Sequence, residues 1–299
     1  MNTEVTAALS TSLLRTYRNL RLGIAGTVIL IGVAVGVVTA AEGVLPSISA
    51  YFYTSARSIF VGALIAAAVA ILALSGRGIE RVLLDAAGII APVIALVPTP
   101  IRAGSVPGFE GACPPGTSCT PPSALPDVST GVITYLIVGV IVVAVTLAVT
   151  LARRRAEGIR LSTVLPSLAV AVLVFAVVAV GWWAARDLFL ALAHLLAAIA
   201  FFGLMAVIAV VKVFEHPDAP AREPRRWQKV AYWFIAIVMC LNLVVMVIVV
   251  RTGVGLGATP PPVFIGECMA LALFLAFWVL QTIQKWNETD PSFAPAVPR

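Results

Sequence analysis

Apolar residues fall in eight long runs that are separated by short polar or charged stretches. Each run has 17 to 24 residues, close to the roughly 20 that an α-helix needs to cross the hydrocarbon core of a bilayer. The third run is the weakest, because Asp85 lies near its start and Pro92 lies inside it. The pattern predicts an all-α polytopic bundle with spans near residues 22–41, 58–75, 82–98, 130–152, 163–184, 188–211, 230–250 and 263–283.

The basic residues indicate how these spans are oriented. With the N-terminus inside, 16 of the 20 Lys and Arg residues fall in inner segments, as the positive-inside rule requires. The outer segments contain only Arg57, Arg102, Arg186 and Arg251. We therefore predict that both termini are cytoplasmic, with an N-terminal segment over 1–21, one transmembrane bundle over 22–285 and a tail over 286–299.

The composition supports a membrane protein and excludes a soluble one. Hydrophobic residues make up 61% of the 299 residues and charged residues 11%, whereas soluble domains have about 25% charged residues. The net charge of +6 arises from the short topological clusters, so no nucleic-acid partner is expected. Arg far outnumbers Lys, and the spans are rich in Ala and Val. This usage is typical of a GC-rich bacterium, and we expect the protein in the bacterial plasma (inner) membrane.

A long outer loop, over about 99–129, is rich in Pro and Gly and contains Cys113 and Cys119. Two cysteines that close a short loop on the oxidising side of a membrane predict a structural disulfide. The alternative is two free thiols, because a zinc site would need further His or Cys ligands. The remaining cysteines, Cys240 and Cys268, lie in spans and are predicted to be packing residues.

Several polar groups are predicted to converge in the outer half of the bundle. An ionisable group inside a span costs about 2.5–3.5 kcal/mol on insertion scales and needs a partner, water or a function. His194 and Glu267 should lie below the surface, where they either line one polar cavity or bond only to each other or to the backbone. The full set of candidate cavity residues is His194, Glu267, Asp187, Arg57, Tyr51, Tyr53, Ser47 and Glu42.

Simpler roles are available for some of these candidates. Asp187 sits beside two tryptophans and can be an interfacial anchor, and Glu42 can form an ion pair with Arg57. Pairing of His194 with Glu267 would favour a protonated imidazole and a charged carboxylate. Asn242 is expected to form a hydrogen bond between helices. The aromatic and polar first outer loop is expected to cap the bundle as a re-entrant or interfacial segment.

The loop after the first span also carries a family resemblance. Its segment Ser47–Thr54 resembles the Ser-Ile-Ser-x-Tyr-Tyr-Tyr-Thr segment of an uncharacterised family of bacterial multi-span proteins, and Ala95–Thr99 resembles that family's Ala-Leu-Phe-Pro-Thr. The stretch from His194 to Phe202 and the span with Glu267 are similar to two further segments of the family. More distantly, the layout resembles eukaryotic membrane proteins linked to lipid remodelling and autophagy. The resemblance implies no activity, but it implies that these segments form one site.

Three functions are compatible with this sequence. The first is a non-enzymatic protein that binds or moves a lipid or small amphiphile through an outward-facing cavity. The second is a membrane-embedded hydrolase or transferase that uses His194 and Glu267, although Walker-type, His-Glu-x-x-His and Gly-x-Ser-x-Gly motifs are missing. The third is an accessory subunit of a larger membrane complex. We expect membrane lipids as partners and no cofactor or metal. The sequence is also compatible with a homo-oligomer.

Overall fold

The protein folds into an all-α bundle with two short strands in an outer loop. The computed structural model describes residues 3–76, 78–157, 164–214, 224–255 and 257–286. Four of the predicted inner basic residues, Arg77, Arg160, Arg222 and Arg299, and the tail beyond Trp286 lie outside this part. The described α-helices are α1 (Thr3–Glu42), α2 (Arg57–Leu74), α3 (Gly78–Leu96), α4 (Leu125–Glu157), α5 (Leu165–Ala184), α6 (Arg186–Phe214), α7 (Arg226–Thr252) and α8 (Pro262–Gln284).

Each predicted apolar run coincides with one of these helices, which confirms the all-α class. Seven helices in the described part of the chain are long and apolar enough to cross a membrane. The exception is α3, which has 19 residues and carries Glu80, Arg81 and Asp85 in its first two turns. Some helices also extend well past the predicted spans, because α1 begins at Thr3 and α4 continues to Glu157.

Six of the helices form a closed ring. In order around the ring, α1 packs on α2, α2 on α3, α3 on α6, α6 on α7, α7 on α8, and α8 returns to α1. The remaining pair, α4 and α5, packs against the outside of α3 and makes fewer contacts with the rest. The main apolar core fills the ring and continues between α3 and the α4–α5 pair, and a second cluster at one end includes Leu45, Ile48 and Tyr51.

The outside of the bundle is also apolar. Val37 of α1 is 66% exposed, Val140 of α4 63% and Leu173 of α5 63%. Water-soluble monomers rarely expose contiguous apolar patches of such extent. This surface is typical of a protein that is solvated by lipid.

The end of the ring where α6 finishes and α3 begins contains a buried ion pair that the sequence did not reveal. Lys212, predicted to lie in an inner loop, is in the last turn of α6 and its side chain is completely buried. Its ammonium donates a hydrogen bond to the Glu80 carboxylate of α3. Nearby, the Arg21 guanidinium of α1 donates to the carbonyl of Lys285, 2.9 Å away, just after α8. The four helices α1, α3, α6 and α8 are thus joined at this end by charged groups.

The outer loop has local order that depends on the predicted disulfide. The Cys113 and Cys119 sulfur atoms lie 2.06 Å apart with Cα atoms 5.7 Å apart, so the disulfide prediction is confirmed. Strand β1 (Ile101–Arg102) pairs antiparallel with β2 (Ser118–Cys119), which places the crosslink at the base of the loop. Cys240 and Cys268 are exposed, so their prediction as packing residues is wrong: both face outward rather than into the helix contacts.

Candidate functional site

The segment between α1 and α2, residues 43–56, forms a cap over one end of the helix ring. Within this cap segment, Ser49–Tyr53 forms one turn of 3₁₀-helix whose first residues are buried. The Ser47 hydroxyl accepts a hydrogen bond from the Ala50 amide at 3.0 Å. The same amide also lies 3.2 Å from the Ser47 carbonyl oxygen, so both oxygens of Ser47 accept from the start of the 3₁₀-helix. The two serines, rather than apolar packing alone, therefore allow a non-helical chain to be buried here.

Glu267 on α8 fixes this cap segment to the bundle. The Ser49 amide donates to Glu267 Oε2 at 3.2 Å, and the Ser49 hydroxyl donates to Oε1 at 2.9 Å. The Ser47 hydroxyl lies 3.1 Å from the Ser49 hydroxyl, so a continuous chain of hydrogen bonds runs from the Ala50 amide through both hydroxyls to the carboxylate. Hydrogen bonds that end on a charged group are stronger than neutral ones. One carboxylate thereby orders the start of the cap segment.

Neighbouring helices hold Glu267 in position. The Asn242 amide of α7 donates to the carbonyl of Gly266 at 3.0 Å, one residue before Glu267, which is the interhelical role predicted for Asn242. Gly266 permits the close approach of α7, because a Cβ at this position would lie 2.0 Å from the Met246 sulfur. The carboxylate therefore projects from a helix whose own position is fixed.

Two tyrosines attach the cap segment to its other neighbours. The fully buried Tyr51 hydroxyl bonds to the Thr39 hydroxyl at the end of α1 and accepts from the Leu45 amide at 3.3 Å. The Tyr53 hydroxyl donates to the Thr99 carbonyl at 2.8 Å in the outer loop. Burial raises the pKa of Tyr53 above its usual range, so this hydroxyl stays protonated and able to donate.

His194 bonds to the end of α3. Its Nδ1 lies 2.8 Å from the carbonyl oxygen of Val97, which can only accept, so Nδ1 carries the proton. The carbonyl follows the last turn of α3 and precedes Pro98, and it has no helical amide to bond. In the neutral ring, Nε2 then has a free lone pair. His194 is buried, at 6% exposure.

A cavity of about 80 Å³ lies inside the ring beneath the cap segment. This volume is several times the roughly 10–15 Å³ that one water requires. Polar side chains are confined to Thr27, Ser49, His194 and Glu267, while the rest of the wall is apolar or aromatic. The wall is completed by Val28, Ile31, Ile48, Phe60, Leu64, Ala67, Ala91, Ile94, Ala198, Phe201, Phe202, Leu271 and Phe274.

The structure brings some of the predicted residues together at this cavity. His194 and Glu267 both line it, Ser47 bonds to its Ser49 wall, and Tyr51 packs beside Phe264 with ring centroids 6.3 Å apart. Tyr53 lies on the outer-loop side of the cap segment.

Other predicted contacts are wrong. Glu42 and Asp187 are exposed and do not line the cavity. Arg57 pairs with Asp127, 2.6 Å away, instead of Glu42, because α4 begins next to the start of α2. His194 and Glu267 do not form a hydrogen-bonded pair in the described structure, since the Val97 carbonyl and Ser49 offer each a nearer partner.

Sequence reasoning missed Ser49 as the partner of Glu267, and it missed the aromatic wall. The Ser-x-Ser spacing could have identified Ser49, since two hydroxyls before an aromatic turn are typical of a capped helix start. The wall residues Phe201, Phe202 and Phe274 are ordinary apolar residues in their spans and carried no signal of their own. Among the described residues, no group of three His, Cys, Asp or Glu side chains could hold a metal ion.

Comparison with protein-family models, with curated proteins and with solved structures finds no match to this chain. The resemblance of Ser47–Thr54 to a bacterial family therefore stays a prediction.

Proposed function

We propose that this protein is an eight-span plasma-membrane protein with both termini inside that binds a lipid or small amphiphile in an outer-half cavity. Seven spans are supported by the length and apolar composition of their helices. The eighth, α3, needs a separate argument because of its three charged residues.

Two polar contacts, one near each end of α3, support its role as a span. Glu80 of α3 and Val97, which directly follows α3, are 17 residues apart, and their partners Lys212 and His194 are 18 residues apart on α6. At 1.5 Å rise per residue, both separations are about 26–27 Å. This nearly equals the roughly 30 Å thickness of the hydrocarbon core. Glu80 and Arg81 therefore fall at the inner interface, Asp85 lies about 7.5 Å deeper and pairs with Arg81 at 3.7 Å, and the His194 contact lies toward the outer side.

The ligand proposal is supported by the way in which polar and apolar groups are distributed around the cavity. Glu267, Ser49 and His194 provide hydrogen-bonding groups, while aliphatic and aromatic side chains line the remaining space. The apolar part of the wall favours an apolar group over water. A small polar head followed by the first part of an alkyl chain matches both parts, since about 80 Å³ does not hold a whole amphiphile. The hydrolase alternative gains less support, because His194 bonds to a backbone carbonyl rather than to an orienting carboxylate.

Filling the cavity tests the binding proposal. Ala198 lines the cavity, and we expect Ala198→Phe to remove most of any lipid or amphiphile that copurifies with the protein, because the added ring occupies the apolar space. Native mass spectrometry after mild detergent extraction measures the bound species. The control is Ala191→Phe, an exposed position on the same helix, which should leave the bound species unchanged. Equal retention by both variants would exclude this cavity as the binding site.

Thiol labelling tests the topology. In a variant whose Cys240 and Cys268 are serine, Arg154→Cys should be protected from an impermeant maleimide in intact cells and labelled only after permeabilisation. Ala258→Cys should be labelled in intact cells. Both positions are exposed on the protein, so accessibility reports the side of the membrane rather than burial. Labelling of Arg154→Cys in intact cells would show that the protein has the opposite orientation.

A further inference from the structure

The cavity contains an acidic group without a basic side chain beside it. Of the residues that line it, Glu267 is the one carboxylate, and none is Lys or Arg. His194 is the other ionisable group, and it donates its Nδ1 proton to the Val97 carbonyl. The protein thus places a carboxylate at an apolar cavity and supplies no fixed cation there.

The partners of Glu267 do not neutralise it. Ser49 provides an amide and a hydroxyl, and the backbone amide of Ile48 also stabilises the carboxylate; all three donors are uncharged. A carboxylate accepts about four hydrogen bonds through its two oxygens, so it retains capacity toward the cavity. A charge held away from water is costly unless an opposite charge or a proton accompanies it. The missing partner of Glu267 can therefore be supplied by the molecule that enters the cavity.

The apolar wall suits the chain of such a molecule. Phe201 packs against both Phe202 and Phe274, with ring centroids 5.2 Å and 5.5 Å away respectively, and all three line the cavity. Side chains of this kind pack favourably against an alkyl chain. An anionic head beside Glu267 would meet the carboxylate and be disfavoured by it.

We propose that the cavity selects a cationic amphiphile, an organic ammonium with an apolar chain, whose positive head lies beside Glu267 and whose chain lies among the phenylalanines. This inference rests on the proposed function and deepens it by specifying the charge of the ligand. It makes Glu267 both the anchor of the cap segment and the counter-ion of the ligand.

Three probes with the same chain and different heads test the charge selectivity. Decyltrimethylammonium, decanol and decyl sulfate are titrated, below their aggregation concentrations, into protein in zwitterionic nanodiscs, and binding is followed by intrinsic tryptophan fluorescence. Ala198→Phe protein in the same nanodiscs measures partition into the bilayer, which is subtracted. We expect decyltrimethylammonium to bind at least tenfold more tightly than decanol, and decyl sulfate to bind more weakly than either.

Glu267→Gln separates the role of the charge from that of the fold. Glutamine keeps an oxygen that can accept from Ser49 but removes the negative charge, so we expect the preference for decyltrimethylammonium over decanol to fall to within about twofold while decanol binding is retained. A preference for decyl sulfate, or an unchanged cation preference in Glu267→Gln, would overturn the inference and leave the amphiphile site intact. If none of the three probes binds above the Ala198→Phe reference, both the proposed site and this inference fail.

Discussion

Lys212→Met is expected to destabilise the protein, by up to about 3–5 kcal/mol, because it removes the hydrogen-bonded partner of buried Glu80 and leaves Lys285 and Arg21 as the nearby positive charges. The Lys212 side chain is completely buried and that of Glu80 is 13% exposed, so water can replace little of the lost interaction. Methionine fits a similar volume and is flexible, which limits the contribution of packing. The melting temperature of the purified protein in detergent measures the effect.

A double substitution and a surface control identify the cause. Glu80→Gln combined with Lys212→Met removes both charges and should recover a large part of the lost stability. Arg226→Met removes an exposed positive charge from α7 and should change stability by no more than about 0.5 kcal/mol. If the double variant is no more stable than Lys212→Met, the loss of packing rather than an uncompensated carboxylate would be the cause.

Glu267→Ala is expected to release the cap segment from the bundle. The substitution leaves the buried amide and hydroxyl of Ser49 without an acceptor. Hydrogen bonds to charged groups contribute about 1.5–3 kcal/mol, so local opening should become roughly 10- to 150-fold more frequent. Hydrogen–deuterium exchange of peptides that cover residues 47–56 measures this opening directly.

Two comparison variants accompany Glu267→Ala. One changes the same position to glutamine, and the other changes a different glutamate to alanine. Glu267→Gln should exchange at an intermediate rate, because one oxygen remains to accept a hydrogen bond from Ser49. Glu42→Ala, at an exposed position at the end of α1, should leave exchange in the cap segment unchanged. Wild-type exchange rates in Glu267→Ala would show that the tyrosine contacts alone hold the cap segment.

Much of the fold could be predicted because lipid solvation leaves long apolar runs in the sequence. The helix positions follow from these runs, and the disulfide follows from two cysteines in one Pro- and Gly-rich loop. The ring arrangement could not be predicted, since helix neighbours depend on three-dimensional packing. Lys212 illustrates this limit: beside an apolar run it resembles an interfacial residue, and only the approach of Glu80 on α3 makes it a buried ion pair.

The candidate site was predictable only in part. His194 and Glu267 were identifiable because ionisable residues are costly inside spans, and both line the cavity. Their partners were not identifiable, because Ser49 and the Val97 carbonyl reach them from other segments of the chain. Three other ionisable residues near the predicted spans, Glu42, Asp187 and Arg57, could not be distinguished from these two by sequence. They lie at helix ends, where water or an exposed partner satisfies them.

The most direct test of the central proposal is an unsharpened cryo-electron microscopy map of the protein purified from its membrane in a mild detergent. An elongated density is expected inside the helix ring, with one end beside Glu267 and Ser49 and its length among Phe201, Phe202 and Phe274. The same density should be absent from a map of Ala198→Phe. An empty cavity in the wild-type protein, with lipid density only on the outer faces of the helices, would contradict the proposal.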